Sequence, residues 1–522
     1  MTRLAFALFL FSLAPQLSLA SEASAVTVIG TVFEDRNANL KHDAGEPGIA
    51  GVKVSDGVRI VVTDRRGAYR IDTSAGRHTF VIKPPAYRFL RASGTGLPSL
   101  WTREAAADSA SQGSSSGDFP LVKARKTSAD FDALVFTDSQ PKTLADVAYY
   151  QRDIVDPIRG RRAAAFGVTL GDIVSDDLSL FSPVASINAR LDAPWFYVPG
   201  NHDLDFDAGD DAGSLKTFAK NFGPDTFALE EGRMAFIGLD DVVYQPEQAP
   251  KYIGGLREEQ FVFLRNYLSG LGKDSLVVIG VHIPLFDTAP DKQTFRHADR
   301  ERLFALLQPF PNVLILSGHT HNQQHVFHTA DTGWRGARPL HEYNVGAACG
   351  AFWSGVKDAE GIPAAGMSDG TPNGYALLSV HGSNYALRWF NARAPESAQI
   401  GLHAPKVLRR GAYPAFGVYA NFYMGDAQSH VEYRIDGSPW KPMQRVLQPD
   451  PALLAENIAD DSAAALRGYD RSPEASISTH LWRGTLPTDL AAGEHRIEVR
   501  AFDRWRGEVN ANASYRLDEA IP

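Results

Sequence analysis

Alternation with period two dominates the first hundred residues. Val26 to Phe33 is a short β-branched run, and Gly51–Ser55 and Val58–Thr63 alternate apolar and polar side chains. Asp64-Arg65-Arg66-Gly67 is a turn signal ahead of Tyr69–Ile71. Short strands at regular spacing predict a small all-β sandwich over residues 26–125. Within it, residues 105–117 are rich in Ala, Ser and Gly and read as a flexible loop or linker. From Phe131 the pattern changes. Apolar runs of strand length (Asp132–Phe136, Ala164–Leu170, Trp195–Val198, Val277–Val281, Val313–Leu316) alternate with stretches of helical period. These stretches include Val147–Val155, Phe181–Leu191, Glu258–Leu268 and Asp299–Leu307. Such alternation predicts an α/β layered domain over residues 127–395. Beyond about Ala394 the helical period fades. Phe416–Phe422, Val431–Ile435, His480–Trp482 and Gly493–Phe502 read as strands of a second all-β sandwich over 396–522, with Trp440, Trp482 and Trp505 expected in its core.

The N-terminus stands apart. Arg3 precedes an apolar run from Leu4 to Leu13, then Pro15 and the small-x-small sequence Ser18-Leu19-Ala20. This predicts a secretory signal over residues 1–20, cleaved after Ala20, and an exported protein, periplasmic or secreted. The run is too short to span a bilayer and no later stretch is long and apolar enough, so no membrane span is expected. The sole cysteine is Cys349, which excludes a lipid anchor just after the signal, an intramolecular disulfide framework and a zinc site built on several thiolates. At 522 residues the chain is too long for one ordinary core. Its 61 acidic and 52 basic residues, a net charge of -9, argue against a nucleic-acid polymer as partner.

The chemistry lies where the central strands stop. The first candidate strand runs into Thr137-Asp138-Ser139-Gln140 and the second into Gly171-Asp172, with Asp176 and Asp177 close behind. The third runs into Gly200-Asn201-His202-Asp203. Later strands run into His282 and into Gly318-His319-Thr320-His321. Open α/β sheets bind ligands beyond the carboxyl ends of their strands, so these clusters can converge on one pocket. Asp138, Gln140, Asp172, Asn201, His282, His319 and His321 offer oxygen and imidazole donors without thiolate, a set suited to Mn, Fe, Zn or Ni. Seven candidate ligands are too many for one divalent ion and about right for two. A shared carboxylate can hold two ions roughly 3.5–4 Å apart, and such a pair clamps an in-line phosphoryl displacement. The glycines are expected to supply sharp turns.

In their order these five blocks resemble the calcineurin-like metallophosphoesterase family, whose pattern is Asp-x-His, Gly-Asp-x-x-Asp, Gly-Asn-His-Asp/Glu, a lone His and Gly-His-x-His. The resemblance covers about Phe131 to His321. It implies a layered β-sandwich flanked by helices, two divalent metal ions and a phosphate-ester substrate. It also implies roles. Asp172 bridges both metals; Asp138 and His321 hold the first, and Asn201, His282 and His319 the second. A hydroxide bridging the metals attacks phosphorus in line, and His202, steered by a carboxylate, protonates the leaving group. There are two departures. Gln140 stands where the family usually has histidine, and Ser175 occupies the usual place of the steering carboxylate, leaving Asp176 or Asp177, with Asp176 preferred. The whole chain resembles a three-part bacterial version of the family with a β domain on each side. The competing reading is a non-catalytic exported binding protein on a degenerate phosphoesterase fold.

Other features remain. Asp35-Arg36-Asn37-Ala38-Asn39-Leu40-Lys41-His42-Asp43-Ala44-Gly45-Glu46 places oxygen side chains at the spacing of a calcium loop, although Leu40 replaces the usual glycine. Calcium and a metal-free hairpin loop are both expected outcomes there. His325, His328 and His341 read as surface or hydrogen-bonded histidines. The Gly-rich stretch from Gly346 to Gly374 reads either as a loop over the site, with Trp353, Asn373 and Tyr375 touching substrate, or as a mobile surface loop. Cys349 reads as a small side chain near a strand end.

Overall fold

The computed structural model describes residues 25–102, 115–125, 128–289, 291–413 and 416–520. The expected signal, 1–20, and residues 105–114 of the expected linker lie outside the described residues.

The central layers are two sheets. The first contains β1 (Asp130–Phe136), β2 (Phe166–Leu170) and β3 (Trp195–Val198). The second contains β4 (Thr226–Glu231), β5 (Met234–Leu239), β6 (Leu276–Gly280), β7 (Asn312–Ser317), β8 (Gln324–His328) and β9 (Leu340–Asn344). The chain then returns to the first sheet with β10 (Gly374–His381) and β11 (Asn384–Asn391). Strand order is β3-β2-β1-β10-β11 in one sheet and β4-β5-β6-β7-β9-β8 in the other. Strands β1 to β3 are parallel, as are β5, β6, β7 and β9, while β10, β11, β4 and β8 join antiparallel. The parallel strands are covered on both faces, which is why they read as continuous apolar runs rather than alternating ones. Phe166 packs on Phe236 and Phe196 on Phe227, with ring centroids 5.6 and 5.5 Å apart, and these contacts join the two sheets. Helices Leu144–Tyr150, Phe181–Asn188 and Lys216–Phe222 lie on the first sheet's side, where Tyr150 meets Phe136 and Phe222 stacks on Tyr197. Helices Glu258–Ser269 and His297–Leu307 lie on the second sheet's side. The helical stretch that begins at Leu144 ends in a π turn, Gln151–Val155, a local widening that places the buried Asp153 against Asn373 (2.8 Å) and Arg393.

On the N-terminal side, Ala25–Glu34 pairs with Ala68–Ser74 and with Phe119–Lys123, and Lys53–Ser55 pairs with Ile60–Val62 and Phe80–Ile82. The Lys83 ammonium is buried where these strands meet β4. It pairs with Glu231 (2.8 Å) and donates to the Glu230 and Tyr87 carbonyls. On the C-terminal side there are two sheets. One holds Ile400–His403, Gly417–Phe422, Ile477–Thr485 and Gln444–Pro449; the other is built on the long pair Gly493–Asp503 and Gly507–Asp518. A helix, Pro451–Asp461, lies among these strands, a correction to the all-strand expectation. Trp482 is in the core as expected. Trp440 is not: it is partly exposed, with the Arg434 and Arg500 guanidinium groups 4.5 and 4.3 Å from its ring. Trp505 stacks at the edge of the central sheet against His341. No helix among the described residues is long and apolar enough to cross a membrane.

Candidate metal centre

Each donor-bearing loop leaves the carboxyl end of a parallel strand and turns back at once. Asp138 follows β1, Asp172 follows β2, Asn201 and His202 follow β3, His282 follows β6, and His319 and His321 follow β7. The turns are made by the donors themselves. Asp138 (φ 48°), Gln140 (39°), Asp172 (48°), Asp176 (67°), His319 (72°) and His321 (52°) all adopt left-handed backbone. That conformation costs a residue with a Cβ about 1–3 kcal/mol and persists only where the surroundings impose it. The glycines serve a different purpose from the one expected. Only Gly171 is left-handed (φ 76°) among Gly171, Gly200 and Gly318. A Cβ on Gly200 would lie 2.2 Å from the Asp172 nitrogen, one on Gly171 2.3 Å from His282 Nδ1, and one on Gly318 2.8 Å from Asp138 Oδ2. Each glycine lets the next loop pass close to a donor.

Two groups of three donors result: Asp172, His282 and His319, and Asp138, Asp172 and His321. Within each group the donor atoms lie within 4.8 Å of one another, and Asp172 belongs to both. The imidazoles are oriented from behind. His282 Nδ1 lies 3.0 Å from the Leu170 carbonyl and His321 Nδ1 2.7 Å from the Ala351 carbonyl. A carbonyl only accepts, so Nδ1 is the donor in each ring and a neutral ring has a bare Nε2 facing the cluster. His282 Nε2 lies 3.1 Å from Asn201 Oδ1 and 3.3 Å from Asp172 Oδ1; His321 Nε2 lies 3.3 Å from Asp138 Oδ1. The His319 N–H donates to the Asp138 carboxylate, and its ring meets His282 edge-on. Asp138 and Asp172 are buried, and among the described residues no Lys or Arg pairs with either. Burial opposes the Asp172 charge, yet His282, His202 and His319 hold its carboxyl well below the usual carboxylate range. Burial likewise pulls the His282 ring down, and the Asp172 and Asp138 carboxylates override it, holding it up to about 10. His319 is pushed down to about 4 by burial and by the neighbouring His282. Two buried carboxylates, three imidazoles, two of them aimed by backbone carbonyls, and an amide oxygen fit a pair of divalent cations.

Gln140 lies on this cluster but faces it with its NH2 group. Nε2 donates to Asp172 Oδ2 (3.2 Å), while Oε1 turns towards Cys349 Sγ, 3.8 Å away. Cys349 is therefore more than a strand-end filler: its sulfur also lies 3.8 Å from His321 Nδ1. His202 stands at the mouth, its side chain 32% exposed, with Nδ1 2.7 Å from Asp176 Oδ1 and its backbone N–H donating to Asp172 Oδ1. Asp177 instead caps the turn Leu178–Leu180 through Ser179.

Two carboxylates that sequence reasoning left without a role hold the loops in place. Asp203 accepts from Gly200 (2.8 Å), Ile173 and Val174, and burial, with the nearby Asp172 charge, pushes it up to about 8. Asp241 accepts from the His282 and Ile283 N–H groups. It follows the end of β5, so the strand-end rule applied to that strand reaches it.

The three residues considered for substrate contact are buried and engaged elsewhere. Trp353 donates to the Ser139 carbonyl, Asn373 to Asp153 and the Ala348 carbonyl, and the Tyr375 hydroxyl accepts from Arg162. The exposed neighbour is Phe352, 5.6 Å from the His321 ring and covered by the Lys142 ammonium at 4.5 Å. His328 pairs with Glu342 in the core, and His325 with His341. In the Asp35–Glu46 loop, Asp35 accepts from the Asn39 and Leu40 N–H groups and Asp43 from the Asn37 and Asn39 amides. Its three carboxylates do not converge into a cluster.

Comparison with known proteins follows the same division. The model of the calcineurin-like phosphoesterase family matches residues 133–323, and that of the C-terminal region of calcineurin-like phosphoesterases matches residues 342–508. A curated relative, a probable glycerophosphodiester phosphodiesterase from Arcobacter nitrofigilis, is 29% identical over 163 residues, which is 29% of this chain and 54% of the relative. The chain thus spans about half the length of that relative. Among solved structures, a dimetal phosphatase from Danio rerio aligns at 15% identity and TM-score 0.34, covering 50% of this chain and 97% of its own. A purple acid phosphatase from yellow lupin (Lupinus luteus) seeds aligns at 12% identity and TM-score 0.37, covering 71% of this chain and 67% of its own. One family model covers the strand-end donors and the other the segment packed behind them, and the chain belongs to the calcineurin-like phosphoesterases.

Proposed function

We propose that the protein is an exported, dinuclear-metal phosphoesterase that hydrolyses a phosphate mono- or diester. The observation that carries the reading is the pair of donor groups sharing Asp172, with the His202–Asp176 pair beside them. Asp138 and His321 would hold one ion, Asn201, His282 and His319 the other, and Asp172 both; the metals are Mn, Fe, Zn or Ni. When bound, two such ions acidify a water to make the nucleophile and neutralise phosphoryl charge. The residues of the chain supply the rest. The Leu170 and Ala351 carbonyls fix the tautomers of His282 and His321. Asp176 holds the proton on His202 Nδ1 and so orients Nε2 outward, where it donates a proton to the departing alkoxide. The His202 backbone, bonded to Asp172, keeps that ring beside the carboxylate shared by the two donor groups. The name of the Arcobacter relative supports the diester arm.

The test is turnover of nitrophenyl phosphate and bis-nitrophenyl phosphate by purified protein loaded with each of the four metals. Hydrolysis of either ester supports the reading. Two bound metals with no turnover of any ester would favour a binding protein. Export rests on the N-terminal pattern and divides the chain into signal (1–20), β domain (26–125), phosphoesterase domain (127–395) and second β domain (396–522). N-terminal sequencing of the mature protein should begin at Ser21, and an intact Met1 in the cytoplasmic fraction would refute it.

A further inference from the structure

His321 ends the last donor loop, and the two residues after it are gripped by one buried residue, Asp369, from a distant segment: Gln323 by its carboxylate and Asn322 by its backbone N–H. Asp369 Oδ2 accepts the Gln323 N–H at 2.8 Å, and the Asp369 N–H donates to Asn322 Oδ1 at 3.1 Å. Asp369 is held in turn from the C-terminal sheet. His480, buried on the strand Ile477–Thr485, places Nε2 3.0 Å from Asp369 Oδ2 and Nδ1 2.7 Å from Asn421 Oδ1. Asn421 donates back to the Asp369 carbonyl at 2.9 Å. Gly370 gives this approach its room, since a Cβ there would lie 2.6 Å from Asp450. A second tie runs through the Gln323 side chain, which accepts from the Tyr343 hydroxyl beside Met424.

His321, like His319 two residues before it, adopts a left-handed backbone that has to be imposed from outside. We propose that Asp369, fixed by His480, is the positioning residue that imposes it, so that the C-terminal sheet sets the affinity of the ion held by Asp138 and His321. The inference rests on the assignment of His321 as a ligand made above. It gives the C-terminal sheet a part in the metal centre although it contributes no donor.

The experiment is a metal titration of full-length apoprotein, with Zn²⁺ competed against a chromophoric chelator, on the unaltered protein and on Asp369→Asn, His480→Gln and His321→Ala. Both Asp369 oxygens accept a backbone N–H, from Thr371 and Gln323, so an asparagine amide opposes one of them whichever way it turns. Expected is a loss of about 10–100-fold in one of the two binding events for Asp369→Asn and His480→Gln, the usual effect of removing a group that orients a ligand. It should be the event that His321→Ala abolishes, with the other unchanged and turnover restored by excess metal. Two unchanged events, or equal weakening of both with a lowered melting temperature, would overturn the proposal. If His480→Gln does not fold, the near-isosteric Asp369→Asn decides alone. If His321→Ala removes no binding event, the ligand assignment is wrong and the proposal falls with it.

Discussion

At the scale of single residues the centre makes separable demands. Asp172 is the one side chain in both donor groups. Asp172→Asn should abolish turnover and most metal binding, because a neutral amide cannot offset two dications; two retained metals with full activity would refute the shared role. His202 is the histidine not needed as a donor. His202→Ala should keep both metals and lower turnover of alkyl phosphate esters by about 10²–10⁴-fold, the usual contribution of a general acid. Nitrophenyl esters should suffer much less, since their leaving group departs without a proton. Equal slowing of both esters with metals intact would show that His202 acts on phosphoryl charge. Gln140→His restores an imidazole beside Cys349 and should tighten the site of Asp138 and His321. Unchanged occupancy in a metal titration would show that position 140 supports Asp172 only. These donors were legible because five blocks of Asp, Asn and His follow five strands in one order, whereas a single Asp or Asn after a strand is an ordinary turn signal. The steering carboxylate was legible only as a choice, and geometry separates the two: Asp176 faces the ring while Asp177 caps a helical turn. Cys349 was not legible as part of the centre, because it meets donors far away in the chain; Asp203 stood in its block and Asp241 at a strand end, but their roles were not legible, because their partners are backbone N–H groups.

Among elements, the strand-to-loop turns carry the site. Their glycines provide clearance, so Gly200→Ala would force a methyl to 2.2 Å from the Asp172 nitrogen. The β2 and β3 loops must part, and we expect metal binding to fall and stability to drop by about 1–3 kcal/mol, the range for overpacking. A titration and a denaturant melt check both; an unaltered titration would mean that the loops yield freely. The alternation of apolar runs and amphipathic stretches made β1, β2, β3, β6 and β7 legible, since strands buried on both faces are continuous in apolar character. The β4–β5 hairpin and the helix Pro451–Asp461 were missed. The helix carries a start signal, Asp450 as N-cap and Pro451 at the first position, but it buries none of its residues and leaves Leu454 and Ile458 exposed.

Across the whole molecule, the two ends of the chain meet the central sheets through buried polar groups: Lys83 on one side, the His480–Asp369 pair and a histidine cluster on the other. In that cluster His325 Nδ1 lies 3.0 Å from His341 Nε2, with Trp505 against both rings. Burial pushes His325 down to about 3; Asp426 opposes this, while Arg504 and His480 add to it. His341 is also lowered, by burial and by its neighbours His325, Arg504 and His328. Both rings stay neutral in the folded protein at pH values where the unfolded chain binds protons. Stability should therefore fall as pH drops below about 6.5, the usual imidazole value. Melting curves of the unaltered protein should fall more steeply from pH 7 to pH 5 than those of His325→Phe, and parallel slopes would rule the cluster out as the cause. Such seams were invisible in the sequence, because each joins residues a hundred or more positions apart and shows no period.

The thiol behind His321 gives the molecule a built-in stopwatch. The chain has one sulfhydryl, wholly enclosed and pushed up in pKa by burial. A maleimide can reach it only when the backbone around Cys349 lifts away from Gln140 and His321. The pace of labelling in native buffer then counts those excursions one molecule at a time, against complete and immediate labelling in denaturant. Divalent ions, by gripping His321, should slow the count, and a chelator should restore it.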